Sequence, residues 1–255
     1  MFKGAALCVL GVAGLMMGCA AETSTGETLD ATESAIINGQ ETTGFPSIVA
    51  LYGKKPGADK GMLCTASVVA PTILLTAAHC VDPSIAGEGN EYYMLTSHNL
   101  TDQANPSPRI KVASVHWDRR FSGQNLQGGH DIAVAILAEP TTLTPLKFNR
   151  GPLPQLSRAR LVGYGLNNGQ AQTGAGIKRT AEVPVSSIDE KFVVTGSWFG
   201  TTMCSGDSGG PVLANVNGEE LIVGVNSFGF IQCMGTGSST RVDSYLDFVN
   251  QYLPN

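Results

Sequence analysis

Short runs rich in Val, Ile, Leu and Thr recur along this chain, and Gly, Pro, Asn or Asp separates them. They read SIVALY at 47–52, ASVVA at 66–70, TILLTA at 72–77, IKVASV at 110–115 and IAVAIL at 132–137. The series continues with ARLVGYG at 159–165, AEVPVS at 181–186, GPVLA at 210–214 and ELIVGVNSF at 220–228. Runs of this length with such punctuation are strands, and many in succession make an all-β sandwich or barrel. Only the end departs from the pattern. Val242, Tyr245, Leu246, Val249 and Leu253 follow a spacing of three and four, which predicts a helix over 241–253, with Asp243 near its start and Pro254 at its stop. Residues 149–157, with three Gly or Pro, are the candidate linker between a β unit over 36–148 and another over 158–240. Three Gly- and Asn-rich loops, 82–90, 122–129 and 167–176, are expected to be mobile, and the last is the likeliest place for a proteolytic nick.

With 255 residues, 42% hydrophobic and 15% charged, the chain can bury a full core and is neither disordered nor fibrous. Its first 18 residues carry Lys3, an apolar run from 5 to 17 and a small Gly18, the layout of a secretory signal. The run is shorter than the ~20 residues a membrane span needs, and a buried N-terminal helix is the alternative. Gly18-Cys19 resembles the lipobox of bacterial lipoproteins, with Met16 where leucine is usual, so Cys19 is a candidate for lipidation; otherwise cleavage falls after Ala20 or Ala21. Residues 19–35 read as a polar, acidic pro-segment without the apolar content to fold alone. Removing residues 1–35, which carry one lysine and four acids, takes the formal charge from −5 to −2. No basic stripe remains to suggest nucleic acid. Four cysteines then remain, Cys64, Cys80, Cys204 and Cys233, an even set that reads as disulfides in an exported chain, in any of three pairings. A zinc site is the alternative, but no CxxC or HExxH spacing supports it.

Three motifs carry chemistry. In CSGDSGGP, 204–211, glycines flank Asp207-Ser208, so a turn can hold a serine forward and aim its own N–H groups at one point. Acyl transfer needs that arrangement, with Ser208 as nucleophile and the N–H groups of Gly206 and Ser208 holding an oxyanion; a Gly/Ser-rich surface turn is the plainer reading. LLTAAHC, 74–80, sets His79 at the end of an apolar strand, and a histidine can take and return a proton at neutral pH. His98, His116 and His130 read as core histidines. HDIAVAIL, 130–137, puts Asp131 at the mouth of an apolar strand, where a carboxylate needs a partner such as a histidine N–H; it could also be an ordinary strand-leading aspartate.

TAAHC, DIAVAIL and GDSGGP, in the order His, Asp, Ser, make the chain resemble the chymotrypsin and trypsin-like serine peptidases over essentially all of 36–255. The resemblance implies an all-β fold of two six-stranded antiparallel barrels packed face to face, with the site between them and a C-terminal helix. It implies His79 as general base, Asp131 as its orienting acid and Ser208 as nucleophile, with Gly206 and Ser208 as oxyanion donors. It pairs Cys64 with Cys80 and Cys204 with Cys233. IING, 36–39, resembles the family's mature N-terminus, whose new amino group inserts beside the aspartate before the nucleophile, here Asp207. Ser227-Phe228-Gly229 looks like the strand that pairs with the substrate backbone. Thr202 matches the pocket floor, Gly229 and Gly237 the pocket walls, and Met203 adds an apolar lining, so cleavage is expected after large apolar residues.

Several residues depart from the family's pattern. Ser34-Ala35 precedes Ile36 where trypsin-activated members have Arg or Lys, so the activating protease is expected not to be trypsin-like. Thr65-Ala66 follows Cys64 where two glycines are usual. Two disulfides common in animal members have no cysteines here, which suggests a pared-down bacterial relative. The reading is a secreted or lipid-anchored serine endopeptidase made as a zymogen, acting on protein or peptide substrates as a monomer without metal or cofactor. The alternative is a protease-like binding or adhesion protein with little turnover.

Overall fold

The computed structural model describes residues 36–198, 200–230 and 232–254. The signal, lipidation and pro-segment readings, Cys19 included, lie outside the described residues. After a two-residue strand, β1 (Gln40–Glu41), come six strands: β2 (Ile48–Lys54), β3 (Met62–Ala70), β4 (Ile73–Thr76), β5 (Glu91–Leu95), β6 (Arg109–Trp117) and β7 (Ala133–Leu137). They close into an antiparallel barrel in the order β2-β3-β4-β7-β6-β5. A second set, β8 (Arg158–Gly163), β9 (Arg179–Ile188), β10 (Phe192–Ser197), β11 (Pro211–Val216), β12 (Glu219–Gly229) and β13 (Gly235–Arg241), runs β9-β10-β13-β12-β11-β8, and the pairing of β8 with β9 closes it. Closure leaves no long unpaired edge. The two-barrel expectation is met.

The apolar runs supply the interiors. Every residue of β4 is buried, and Ile48, Leu51, Leu74, Met94 and Val134 pack in one cluster. Val162, Leu213, Ile222 and Val225 from the second barrel join that cluster, so the barrels share apolar contact where they meet. The rest of the second interior forms around Leu161, Val183, Val193, Val212 and Val223, with Ile36 among them.

Three local features differ from the sequence reading. β1 pairs with β9 of the second barrel, Gln40 opposite Thr180 and Glu41 opposite Arg179, so the unit expected over 36–148 begins on the other barrel. An ion pair of 3.0 Å between Arg179 and Glu41 holds it there. A short helix, α1 (Pro83–Ala86), occupies the first expected loop because the Asp82 side chain caps the Ser84 N–H and Pro83 suits the first turn. The terminal helix is shorter than 241–253: Arg241 ends β13, a 3-10 turn spans Asp243–Tyr245, and α2 covers only Leu246–Val249. Tyr245, at φ −129° and ψ 26°, interrupts the helical run. The apolar spacing still does its work, because Val242, Tyr245 and Val249 are buried in the shared cluster.

Candidate active site

Strand direction explains why His79 and Asp131 meet. β4 and β7 are antiparallel, with Thr76 opposite Ala133. The residues just beyond the end of β4 and just before the start of β7 therefore lie at one rim of the barrel. His79 sits in the 3-10 turn Ala78–Cys80, and its Nδ1 is 2.7 Å from Asp131 Oδ2 while its backbone N–H donates to Asp131 Oδ1 at 2.9 Å. Asp131 is fully buried and accepts a third hydrogen bond from Ser227 Oγ. Three donors make a buried carboxylate tolerable and hold the imidazole by one nitrogen. Ser227 reaches it from the second barrel because the β12–β13 register slips there, Asn226 pairing with Ser239 and Phe228 with Ser238, which leaves Ser227 as a bulge.

Ser208 lies in the turn before β11. In this turn the Asp207 N–H donates to Cys204 C=O at 3.0 Å, Gly209 N–H to Asn226 C=O at 2.8 Å and Gly210 N–H to Asp207 C=O at 2.9 Å. The Cys204 N–H donates to Asp207 Oδ2 at 2.9 Å. Among the described residues, the N–H groups of Gly206 and Ser208 have no acceptor. Gly206 adopts φ +100°, and a Cβ on it would come within 2.8 Å of Gly165 Cα. A Cβ on Gly209 would collide with Thr76 Oγ1 and stand 3.0 Å from the Ala77 N atom, so glycine here lets the turn approach the segment carrying His79. No hydrogen bond joins Ser208 Oγ to His79; such contacts often tighten only when substrate binds. Ser227 links the two halves, lining one cavity with His79 and another with Ser208.

The cavity beside Ser208, of about 200 Å³, is lined by Met203, Ser227, Phe228, Gly229 and Phe230 among others. Met203 crosses its wall: a Cβ on Gly237 would lie 2.7 Å from Met203 Cγ and Cε. Gly229 and Gly237 face each other across β12 and β13. Thr202 is buried; its C=O accepts from Ile37 N–H at 3.1 Å, and a Cβ on Gly196 would lie 3.0 Å from its Oγ1. Two disulfides frame the site. Cys64–Cys80 joins β3 to the His79 turn, and Cys204–Cys233 joins the Ser208 turn to the far wall of the smaller cavity. Among the described residues, Cys64, His79 and Cys80 are the one group of donors close enough to share a metal ion, and both sulfurs are engaged in the disulfide.

Behind the turn lie three ionisable groups, two of which, Arg179 and Lys178, sequence reading passed over. Asp207 is fully buried; burial pushes its carboxyl up to about 7, against the lowering effect of the N–H groups of Cys204 and Gly165 and the charge of Arg179. Arg179 is 2% exposed and donates to Glu41 and to the carbonyls of Gly174 and Ile177. Lys178, equally buried, gives its ammonium protons to the carbonyls of Gly44 and Phe45, and burial pushes it down to about 8. Both follow Ile177 and carried no sequence signal beyond two cations at the head of a strand. The contact of Ser227 with Asp131 was equally hidden, since the resemblance assigned Ser227 to the substrate backbone.

Two closed antiparallel β-barrels, with a His–Asp pair at the rim of the first and a glycine-flanked serine in a turn of the second, have the architecture of the two-barrel serine hydrolases. The comparisons agree: the trypsin family model matches residues 36–249, and this chain belongs to that family of serine endopeptidases. It is 27% identical to bovine chymotrypsin-like elastase family member 1, over 81% of this chain and 84% of that one. It is 28% identical to a chymotrypsin of Phaedon cochleariae (85% and 82% covered) and 29% identical to brachyurin of Leptuca pugilator (84% and 96% covered).

Proposed function

We propose that this chain is exported as an inactive precursor and, once cut between Ala35 and Ile36, hydrolyses peptide bonds after large apolar residues. Ser208 Oγ attacks the scissile carbonyl as His79 takes its proton; the oxyanion rests on the N–H groups of Gly206 and Ser208; His79 then returns the proton to the leaving amine, and water repeats the cycle on the acyl-enzyme. Asp131 holds the imidazole in the tautomer this needs. The observation that carries the reading is that the N–H groups of Gly206 and Ser208 have no acceptor in a turn whose amides at 204, 207, 209 and 210 are engaged, the exposed Ser205 being the other amide there without one. A fluorophosphonate probe should label the activated enzyme at Ser208, and Ser208→Ala should abolish both labelling and peptide turnover. Labelling that persists in Ser208→Ala would refute the assignment.

Activation rests on Ile36 and Asp207. Ile36 is fully buried in the second core, yet it sits at φ +47°, a region costly for a β-branched residue. Cleavage before Ile36 frees that dihedral and creates an α-amino group on a buried end, close in the chain to Ile37, whose N–H already pairs with Thr202. The buried Asp207 carboxylate is the partner proposed for it. The apolar preference is supported by Met203, Phe228 and Phe230 around the smaller cavity, with no acid among its lining residues. Export is supported by the leader and the two disulfides, and no helix among the described residues is long and apolar enough to cross a membrane. The bacterial reading rests on the Gly18-Cys19 leader and the two missing disulfides, while the relatives named above are animal proteins.

A further inference from the structure

Thr65 stands where the resemblance leads one to expect glycine, and it is fully buried on β3 at the junction of the barrels. Its hydroxyl donates to Gly206 C=O at 2.8 Å and accepts from Tyr164 N–H at 3.1 Å. Its backbone N–H donates to Ser208 C=O at 2.8 Å, and its own C=O accepts from Thr76 Oγ1 at 3.0 Å. One residue of the first barrel thus holds two carbonyls of the nucleophile turn and one amide of the second barrel.

The peptide planes of the turn show what this does. The Gly206 N–H belongs to the plane whose other end, Ser205 C=O, accepts from Leu166 N–H at 2.8 Å. The Ser208 N–H belongs to the plane whose other end, Asp207 C=O, accepts from Gly210 N–H and from Asn226 Nδ2. Between them lies the Gly206–Asp207 plane. Its N–H is held by Cys204 C=O, and its C=O is held by the Thr65 hydroxyl. Peptide planes are stiff, so rotation of the middle one about the Gly206 and Asp207 dihedrals is how the two free N–H groups would lose their common aim. Gly206, at φ +100° and without a Cβ, offers little resistance to that rotation.

We propose that the Thr65 hydroxyl is a positioning residue for the oxyanion hole, fixing from the opposite barrel the peptide plane between its two N–H donors. The proposal rests on the reading of Ser208 as nucleophile and adds a residue outside the catalytic motifs to it. Because the donors act most strongly on the tetrahedral species, loss of their aim should appear in kcat and in the binding of tetrahedral analogues, and little in KM.

The test uses the activated enzyme with Thr65→Val, Thr65→Ser and Thr65→Ala, normalised by active-site titration and accompanied by thermal unfolding. Valine keeps the volume without the hydroxyl; serine and alanine differ from each other by the hydroxyl alone. Thr65→Val and Thr65→Ala should lower kcat on an apolar peptide anilide by about tenfold to a hundredfold with KM within about twofold, and weaken a peptide boronic acid by a similar factor. Thr65→Ser should stay within about threefold of the parent in all three. If Thr65→Val does not fold, the serine and alanine pair decides. Unchanged kcat and boronate affinity in the variants lacking the hydroxyl, or a loss confined to melting temperature, would overturn the proposal while leaving Ser208 in place. Turnover surviving in Ser208→Ala would overturn both.

Discussion

If the Asp207 carboxylate receives the new α-amino group, cleavage must change the pH dependence of stability in a defined window. Burial raises this carboxyl from 3.8 to about 7 in the uncleaved chain. A folded-state pKa above the unfolded one means that the folded state holds the proton more tightly. A rise of roughly three units therefore weakens the fold by about 4 kcal/mol once the group is ionised, fully above about pH 7 and not at all below about pH 4. An ammonium beside the carboxylate offsets that loss. The ammonium's own contribution is present below the free α-amino pKa, near 8, and disappears as pH rises through its raised value. The cleaved form should thus gain stability over the precursor progressively from about pH 4 to 7, hold it to about pH 8 and lose it in alkali. Recovering even ~2 kcal/mol would raise the melting temperature by about 4–8 °C in a domain of this size. The assay is thermal unfolding across pH of a Ser208→Ala protein, which cannot digest itself, before and after cleavage at an engineered site that leaves Ile36 first. The same experiment on Asp207→Asn should show no pH-dependent gain. A gain that does not vary with pH, or one that survives Asp207→Asn, would refute the reasoning.

Two further outcomes follow from the groups around the turn. Met203→Ala, which clears the side chain lying against Gly237, should raise kcat/KM for Phe and Tyr substrates relative to Leu by about tenfold, measured on matched peptide anilides; an unchanged ratio would mean that Met203 does not limit the cavity. Arg179→Met removes a cation that lowers the Asp207 pKa, so the acid limb of kcat/KM, read from pH–rate profiles, should move to higher pH; an unmoved limb would mean that Arg179 does not act on Asp207.

Much of the fold was legible because the relevant signals are local. Apolar runs bounded by Gly, Pro, Asn and Asp mark strands wherever they fall, and the residues that follow β4 and precede β7 were readable as a histidine and an aspartate at strand ends. That these two ends share a rim was carried by the resemblance and not by spacing, since 52 residues separate His79 from Asp131. The glycines around Ser208 were legible for the same reason: a turn that must pass close to Thr76 and Ala77 excludes a Cβ at Gly209, and that constraint is written in one residue. α1 was missed although Asp82-Pro83-Ser84 is a start signal, because a single helical turn leaves no apolar period to read. The terminal helix was overextended for the opposite reason. Val242 and Tyr245 keep the apolar spacing while the backbone at Tyr245 leaves the helical region, and burial against the first barrel is satisfied either way.

What stayed hidden depends on partners from distant parts of the chain. Ser227 is a serine in a strand until a register slip between β12 and β13 turns it toward Asp131, and no property of the residue announces the slip. Arg179 and Lys178 look like solvated charges; only the arrival of Glu41, Gly44 and Phe45 from the N-terminal segment makes burial of two adjacent cations bearable. Thr65 is the instructive case, because the sequence did flag it as a departure from glycine without saying what the departure does. A hydroxyl at a barrel junction either leaves a buried polar group unpaired, at a cost of about 1–3 kcal/mol, or finds both a donor and an acceptor. Tyr164 N–H and Gly206 C=O supply them, 99 and 141 residues away. The side chain that departs from the pattern is thereby tied to the very turn the pattern exists to hold, so a residue first read only as a departure from glycine becomes a physical link between the barrel bearing His79 and the barrel bearing Ser208.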